Sequence, residues 1–446
     1  MSFTSSGIQT VLTRGVLILT GVAIGVIQAR WLGVEGVGIL ALIILIKNFG
    51  LRLGNFGLGS SVAFFVARQQ ISPISARKLI WRMALVTSSL SMLVILGIRD
   101  LAFSPWKNIP RLLFYLSLIS VPLIFYNEFM RRLLSGRLRI TDMNFSMLIT
   151  NAVNLAMLIA LVVLGGLDLL GAVLALLTAD LITSAYLCRR LYGAFDPGMS
   201  ELEAESNVPV LRKMLGYGFW NYLIMLTNFF TEELPLMVLQ FFAGDRYAIG
   251  IFAKGHDFSR QSRVVALPIS QILFPFTAAA EESLAARRTC IVCRNYTLLM
   301  AIGVVLIAVL IKPIILFLYG AEFLPAALVF YVIAPGMVLW PLSNFLAVHV
   351  AAVGHPRIIA LIGFVTMAVI FVTCVAVIPQ HLALGAGISL SVAFALQGIL
   401  RTAIFVRHTG IRYRDVLLPH KSDYVYYKHF LDVLFRRPAG KQRKRD

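Results

Sequence analysis

The sequence predicts an all-α polytopic membrane protein with about 12 transmembrane helices in two six-helix halves. Three features indicate this class: the composition, the repeated apolar stretches, and one polar interruption near the midpoint. Of the 446 residues, 59% are hydrophobic and 14% are charged, and the mean hydropathy is +0.84. A chain of soluble domains with ordinary polar surfaces does not have this composition.

The apolar stretches have the length that a membrane requires. A helix needs about 20 predominantly apolar residues to cross the hydrocarbon core. Twelve stretches approach or exceed this length, and we number them as spans 1 to 12: near residues 8–29, 36–65, 80–98, 111–130, 143–164, 169–188, 213–241, 247–276, 295–318, 325–350, 358–378 and 384–406. The first stretch lacks a basic leader, so we expect it to remain as span 1 rather than to be removed as a signal peptide.

The distribution of positive charge predicts the orientation. The net charge is +19, but sixteen Lys and Arg residues collect in the loops after the even spans, against six in the opposite loops. Because positive residues collect on the cytoplasmic side, both termini are predicted to be cytoplasmic. The segment after residue 406 adds eleven basic residues, which we expect to lie against anionic membrane lipid. This distribution argues against nucleic acid as a partner.

The longest polar interruption, DPGMSELEAESNVPVLRK, divides the spans into two sets of six. Its prolines, glycine and glutamates are typical of a linker. We therefore assign residues 1–195 to an N-terminal six-helix half, 196–212 to a cytoplasmic linker, 213–406 to a C-terminal six-helix half and 407–446 to a basic cytoplasmic tail. The similar turns LGVEGVGILA after span 1 and AGDRYAIGIFA after span 7 favour two parallel halves related by an axis along the membrane normal.

Sequence motifs for catalysis or metal binding are not found. There is no GxxxxGK[ST] nucleotide loop and no HExxH zinc motif, which disfavours ATP-driven transport within the chain. Cys290 and Cys293 form a CxxC, but no second pair has zinc spacing, so we interpret the pair as incidental. We expect no catalytic residue, no metal and no cofactor, and predict that the protein is not an enzyme.

Charged residues inside the spans form the candidate functional site. Each costs roughly 2.5 to 3.5 kcal/mol at a helix centre and usually faces an interior cavity. The decapeptide KGHDFSRQSR, residues 254–263, interrupts span 8, and three of its cationic or titratable side chains share one helix face. Span 1 carries a stripe of polar or small residues, formed by Arg14, Gly21, Gly25 and Gln28. Close packing of helices through the two glycines explains this stripe as well as a cavity does, but it does not explain Arg14.

Counting these charges predicts a cavity with an excess of cations. The cations in the spans are Arg14, Lys47, Arg52, Lys254, Arg260, Arg263 and Arg401, and the acids are Glu128, Asp180, Glu232, Glu233 and Asp257. Ion pairing is the simplest explanation of any one charge, but Asp180 is expected to lie far from the cluster, so some cations should remain without an acidic partner. A net positive cavity suits a bound anion, and arginine suits phosphate because its planar fork donates two parallel hydrogen bonds.

These arguments assign three sets of candidate site residues. The substrate-binding cations are Arg14, Lys47, Arg52, Lys254, His256, Arg260 and Arg263. The cavity acids, which are also candidates for coupling transport to proton uptake, are Glu232, Glu233 and Asp257. The candidates for sugar contacts are Asn48, Asn55, Asn221, Asn228 and Asn344.

Several segments together resemble the polysaccharide flippases of the MOP superfamily, the Wzx-like proteins. They are the six-plus-six spans, the turn LGVEGVGILA, NFGLGSSV at Asn55 to Val62, AIGIFAKGHDF at the start of span 8, and LFP at Leu273 to Pro275. The resemblance covers essentially the whole chain. It implies two six-helix bundles around a central cavity, a MATE-like architecture, in a bacterial cytoplasmic (inner) membrane. It also implies that the protein moves an undecaprenyl-diphosphate-linked oligosaccharide of O-antigen, capsule or exopolysaccharide to the outer leaflet.

The resemblance also implies the partners and leaves alternatives open. The partners would be a polyprenyl-diphosphate-linked glycan, membrane lipids and a glycan polymerase complex. About twelve rather than fourteen helices argue against a peptidoglycan role. One alternative is a cation-coupled multidrug exporter of the same superfamily, which would favour an acidic cavity. Another is a non-transporting scaffold for glycan synthesis, which would explain the basic tail but not the charges inside the spans.

Overall fold

The computed structural model describes residues 3–67, 73–101, 104–107, 109–192, 207–244, 246–279, 281–420 and 423, and the side chains of most of them. The described elements are helical: α1 Phe3–Gly54, α2 Leu58–Ala67, α3 Pro73–Arg99, α4 Arg111–Gly136, α5 Ile140–Leu158 with a π-turn Ile159–Leu164, α6 Asp168–Tyr192, α7 Asn207–Phe242, α8 Tyr247–Ala279, α9 Glu282–Leu318, a 3₁₀ turn Ala321–Phe323, α10 Ala326–Ala352, α11 Pro356–Thr409 and α12 Tyr413–Leu417.

Helix α1 contains two spans, because the chain reverses at Gly33. This residue has φ 65° and ψ −177° inside the helix, in the left-handed region that glycine adopts at little cost. Gln28 and Asn48 border one cavity, although twenty residues of straight helix would separate them by about 30 Å. The turn is the one that the segment LGVEGVGILA predicted.

Helix α11 reverses in the same way at Leu382, which has φ 45° and ψ −118°. A Cβ on Gly385 would lie 2.7 Å from the Val377 carbonyl oxygen and 2.8 Å from the Ile378 Cα. Eight residues of straight helix would hold these positions about 12 Å apart. The two halves of α11 therefore pack against each other as spans 11 and 12.

The predicted number of spans is confirmed. Nine helices in the described part of the chain are long and apolar enough to cross a membrane, and α1 and α11 are two of them. Counting both halves of these two gives eleven spans. Helix α8, which contains KGHDFSRQSR and is not one of the nine, makes twelve. The all-α, multi-pass membrane class is therefore correct.

Two helices extend into the predicted linker and tail. Helix α7 begins at Asn207, inside the predicted linker, because Pro209 falls in the first helical turn, where its missing N–H costs nothing. Residues 193–206 lie outside the described part. Helix α11 continues to Thr409, where Gly410 in the left-handed conformation ends it, and residues 424–446 of the tail are not described. The division into two halves stays a prediction.

Helices from the two predicted halves meet along two lines of contact, α1 with α8 and α2 with α7. On the first line, a Cβ on Gly38 would lie 3.1 Å from the Gly250 backbone nitrogen, and one on Gly250 would overlap the Val34 carbonyl. Each of these glycines therefore approaches the other helix within backbone contact. The two residues occupy the matching GI positions of the two similar turns, and we call this contact the outer crossing.

A second crossing joins the start of α7 to the break between α1 and α2. A Cβ on Gly218 would lie 2.6 Å from the Gly57 carbonyl oxygen. The Ser61 hydroxyl donates to the Met214 carbonyl over 2.6 Å, and the Tyr222 hydroxyl donates to the Leu53 carbonyl over 2.7 Å. We call this contact the inner crossing.

We expect Gly250→Ala to destabilise the protein through the outer crossing. The added methyl would have to push α8 away from α1, and overpacking of this kind costs about 1 to 3 kcal/mol. The matched control is Gly303→Ala in α9, where a Cβ meets no atom within 4 Å and the loss of backbone freedom in the unfolded chain favours alanine. Thermal unfolding in detergent measures both, and equal midpoints for the two variants would contradict the close crossing.

Candidate functional site

A cavity of about 100 Å³ lies between α1, α7 and α8. Its polar lining consists of Gln28, Asn48, Glu233, Lys254, His256, Asp257 and Arg260. Apolar residues of the second span of α1 and of α7 and α8 complete the wall. The structure thus brings the decapeptide of span 8 together with one of the paired glutamates of span 7, as the sequence predicted.

Arg260 and Glu233 form the ion pair at the centre of this cavity. Arg260 Nη2 donates to Glu233 Oε1 over 2.6 Å. Helices α7 and α8 are joined by a short connection, so residues at similar distances from it lie side by side. The Glu233 side chain is 8% exposed, whereas 37% of the Arg260 side chain is exposed. Arg260 can therefore present donors to a ligand in the cavity.

Lys254 is held on three sides. Its ammonium group donates to the Gly25 carbonyl over 3.3 Å, pairs with Asp257 over 3.4 Å and lies 5.1 Å from the centre of the Tyr319 ring. The residue is 2% exposed. Lys254 therefore borders the cavity and also connects α8 to α1 and to the end of α9.

The charges of the described cavity lining are balanced, which differs from the expected excess of cations. Lys254 and Arg260 face Asp257 and Glu233. The reason is that Glu233 of α7 faces Arg260, while Asp257 lies one helical turn from Lys254 on α8 itself.

The small stripe on span 1 makes room for polar side chains of α8. A Cβ on Gly21 would lie 3.4 Å from Gln261 Nε2, and one on Gly25 would lie 3.5 Å from Lys254 Nζ. The glycines therefore serve packing, and the groups that they accommodate are polar. Arg14 is partly buried on the same span, away from the lining of the cavity.

Lys47 does not face the cavity, and the expectation that Asp180 lies far from the charged cluster was wrong. The Lys47 ammonium group pairs with the Asp180 carboxylate, and both side chains are under 10% exposed. Asn127 Nδ2 donates to the Asp180 carbonyl over 3.1 Å. Helices α1, α4 and α6 pack together, which joins residues that are 133 positions apart in sequence.

Arg52 lies in a second charged cluster, around Glu128 on α4. Arg132 pairs with Glu128 over 2.8 Å, and Arg131 and Arg52 are within electrostatic range of the same carboxylate. Arg131 is anchored by hydrogen bonds to Ser146 and other α5 groups. Cations are in excess in this cluster, but it lies outside the cavity lining.

The asparagines predicted to contact sugar are dispersed. Asn48 lines the cavity. Asn55 Oδ1 accepts from the Gly59 N–H over 3.4 Å at the start of α2, and Asn344 Nδ2 donates to Ser270 Oγ over 2.6 Å. Asn221 is exposed and Asn228 partly buried on α7, and neither belongs to the described lining.

Three remaining candidates have different environments. His256 is 2% exposed and its ring lies 5.5 Å from that of Phe252. Glu232 is partly buried and within electrostatic range of Arg260. The side chain of Arg263 lies outside the described part of the structure.

The sequence did not predict a buried ion pair between α9 and the first part of the tail. Arg294, one of the sixteen basic residues assigned to the loops after even spans, lies in α9. Its Nε and Nη2 both donate to the Asp423 carboxylate. His420 Nε2 lies 3.0 Å from Asp415 Oδ1 nearby. The pKa of Asp423 is lowered: burial alone would raise it, but the hydrogen bonds and charge of Arg294 outweigh burial. The first part of the tail therefore packs on α9, whereas lipid contact was expected.

Comparison with known proteins supports the same fold. The family model described as "Polysaccharide biosynthesis protein" matches residues 9–281. No curated protein matches the sequence at a significant level. A multidrug resistance MATE family transporter of the MOP superfamily, in an inward-facing conformation, is 14% identical with a TM-score of 0.71, and the match covers 88% of this chain and 94% of that one.

Two further solved structures extend this similarity. Lipid II flippase MurJ, in an inward closed conformation, is 12% identical with a TM-score of 0.71 over 97% of this chain and 94% of that one. A MOP superfamily transporter from Pyrococcus furiosus is 13% identical with a TM-score of 0.60 over 91% and 95%. At identities this low, these similarities show the fold alone. The family model, in contrast, covers more than half of the sequence. The chain therefore belongs to the polysaccharide biosynthesis protein family and has the fold of the MOP superfamily.

Proposed function

We propose that this protein is a flippase that moves an undecaprenyl-diphosphate-linked oligosaccharide across the bacterial cytoplasmic membrane by alternating access. The observation that carries the proposal is the Arg260–Glu233 pair in the cavity between α1, α7 and α8. A diphosphate presents oxygens that match the fork of an arginine. It can therefore replace the Glu233 carboxylate on Arg260 without leaving the cation unpaired.

The polar lining of the cavity supports binding of the head group. Its volume of about 100 Å³ is smaller than the roughly 300 to 1,000 Å³ of small-molecule sites, so a diphosphate with a neighbouring sugar can enter only when the two halves move apart. Asn48 and Gln28 border the cavity and supply polar contacts for the sugar. The polyprenyl tail is apolar and can remain in lipid, so the protein needs to enclose only the polar part of the substrate.

The two crossings support the mechanism. The outer crossing of Gly38 with Gly250 and the inner crossing of Gly57 with Gly218 are both closed. In the proposed cycle one crossing opens while the other remains closed, and the two six-helix halves rock against each other. No covalent bond needs to change, so we assign no catalytic residue.

The multidrug exporter remains a second candidate, because Glu233 and Asp257 lie in the cavity and one similar structure is a multidrug transporter. The two functions differ in substrate charge. A cationic drug would bind the carboxylates and displace Arg260, whereas a diphosphate would bind Arg260 and displace Glu233.

Deleting the gene in its own host tests the proposed function. We expect lipid-linked glycan to accumulate on the cytoplasmic face, accessible to glycosidase only after the membrane is opened, and a plasmid copy should reverse this. Normal export of glycan, together with new sensitivity to cationic dyes, would support the exporter.

The orientation is tested by reporter fusions. Reporters joined at Arg137, Arg288 and after residue 420 should indicate the cytoplasm, and reporters at Lys107 and Leu382 should indicate the outside, because positive residues are concentrated at the first group of sites. A reporter after residue 420 that indicates the outside would overturn the cytoplasmic assignment of the tail.

A further inference from the structure

A buried arginine on the second half of α11 has no role in the cavity described above. Arg401 is 4% exposed and lies eight residues before the end of the helix at Thr409, about 12 Å along its axis. Its Nη1 donates to Ser343 Oγ over 3.0 Å and to the Ser343 carbonyl over 3.3 Å. Ser343 belongs to α10, so the guanidinium lies between α10 and α11.

The other edge of this guanidinium has no protein acceptor in the described part of the chain. Nε and Nη2 of Arg401 are both buried and without a hydrogen bond partner there. These two N–H groups form the fork that binds an anion in two parallel hydrogen bonds. Arg294 demonstrates this use in the same protein, because its Nε and Nη2 both donate to the Asp423 carboxylate.

A second buried donor lies one helical turn away. Gln397 precedes Arg401 by four residues, so both lie on one face of α11. It is 3% exposed, and its Nε2 has no acceptor among the described residues. No described carboxylate lies within salt-bridge distance of Arg401. The arrangement therefore offers three buried donors and a positive charge.

The missing partner must carry charge as well as accept hydrogen bonds. Arginine remains protonated in proteins, and an uncompensated buried charge is far more unfavourable than one unmade hydrogen bond. A water molecule would satisfy the donors but would leave the charge. The burial of the site excludes a group as large as a glycan.

We propose that Arg401 and Gln397 bind one small monovalent anion, of the size of chloride, between α10 and the second half of α11. Ser343 fixes the guanidinium in position through Nη1. The bound anion neutralises Arg401 and links the two helices. Neither Arg401, Gln397 nor Ser343 lines the cavity between α1, α7 and α8. The anion site is therefore separate from the proposed substrate site and does not depend on the proposed function.

Thermal unfolding of the purified full chain in detergent tests the site. Potassium gluconate is replaced stepwise by potassium chloride at constant ionic strength, and the midpoint is followed by tryptophan fluorescence. A ligand that binds only the folded state raises the midpoint, so we expect a saturable rise with chloride and with bromide. Arg401→Gln should abolish this rise, and Gln397→Leu should increase the half-saturating concentration about tenfold, as expected for one lost hydrogen bond to an ion.

The matched control is Arg294→Gln, which removes an equally buried arginine whose fork is already occupied by Asp423. This variant should unfold earlier in every salt and still respond to chloride. An unchanged chloride response in Arg401→Gln would overturn the proposal.

A binding measurement keeps the proposal testable if Arg401→Gln does not fold. Equilibrium dialysis with radioactive chloride compares the wild type with Gln397→Leu and Arg260→Gln. We expect weaker binding in Gln397→Leu and unchanged binding in Arg260→Gln. Weaker binding in Arg260→Gln with unchanged binding in Gln397→Leu would place the anion in the cavity between α1, α7 and α8 and refute the site at Arg401. Loss of glycan flipping in Arg260→Gln, in contrast, concerns only the proposed function.

Discussion

Arg260→Ala is expected to abolish export of the lipid-linked glycan while leaving most of the protein in the membrane. The substitution removes the fork that would bind diphosphate. Hydrogen bonds to charged groups contribute about 1.5 to 3 kcal/mol each, so loss of even one should slow flipping by roughly 10- to 100-fold. Arg260→Lys, which keeps the charge but not the fork, should have intermediate activity. Flipping is measured in proteoliposomes with a fluorescent lipid diphosphate sugar.

Two controls separate binding from folding. Arg407→Ala changes an exposed arginine at the end of α11 and should flip normally. The double variant Arg260→Ala with Glu233→Gln removes both charges of the pair, so no carboxylate is left buried without its partner. If Arg260 serves only to neutralise Glu233, the double variant should regain transport. We expect it to be as abundant in the membrane as Arg260→Ala and to remain inactive.

Exchanging the two charges, Glu233→Arg with Arg260→Glu, should restore folding but not transport. Each single reversal places two like charges where an ion pair now forms, with the side chain on α7 only 8% exposed, which should lower the amount of folded protein. The double exchange recreates the attraction, so abundance should recover. It also moves the arginine to α7, at the less exposed position of the pair, where it cannot meet the diphosphate in the same way.

The same pair predicts that transport is linked to protons. When diphosphate takes Arg260, the released Glu233 carboxylate lies in a poorly solvated site, and protonation removes the cost of its charge. An imposed pH gradient should therefore change the flipping rate of the wild type. Full transport by the exchanged variant, or a wild-type rate that is indifferent to the gradient, would contradict partner exchange at Arg260.

The sequence by itself determined the membrane class, the twelve spans and the presence of a charged site in span 8. Each depends on local properties: the length of an apolar stretch, and the cost of placing ionisable side chains within it. The turns at Gly33 and Leu382 were likewise expected, because each falls between two predicted spans. These results do not depend on which helix lies beside which.

Only the tertiary structure decided the partners of the charges. Glu232 and Glu233 are adjacent, and by sequence alone either could pair with Arg260. The rotation of α7 about its axis places Glu233 against Arg260, because neighbouring residues on a helix point about 100° apart. Lys47 with Asp180 and Arg294 with Asp423 join residues more than 120 positions apart. A charge count gives the number of possible pairs, but a salt bridge forms within about 4 Å, and only the packing of helices brings two particular side chains that close.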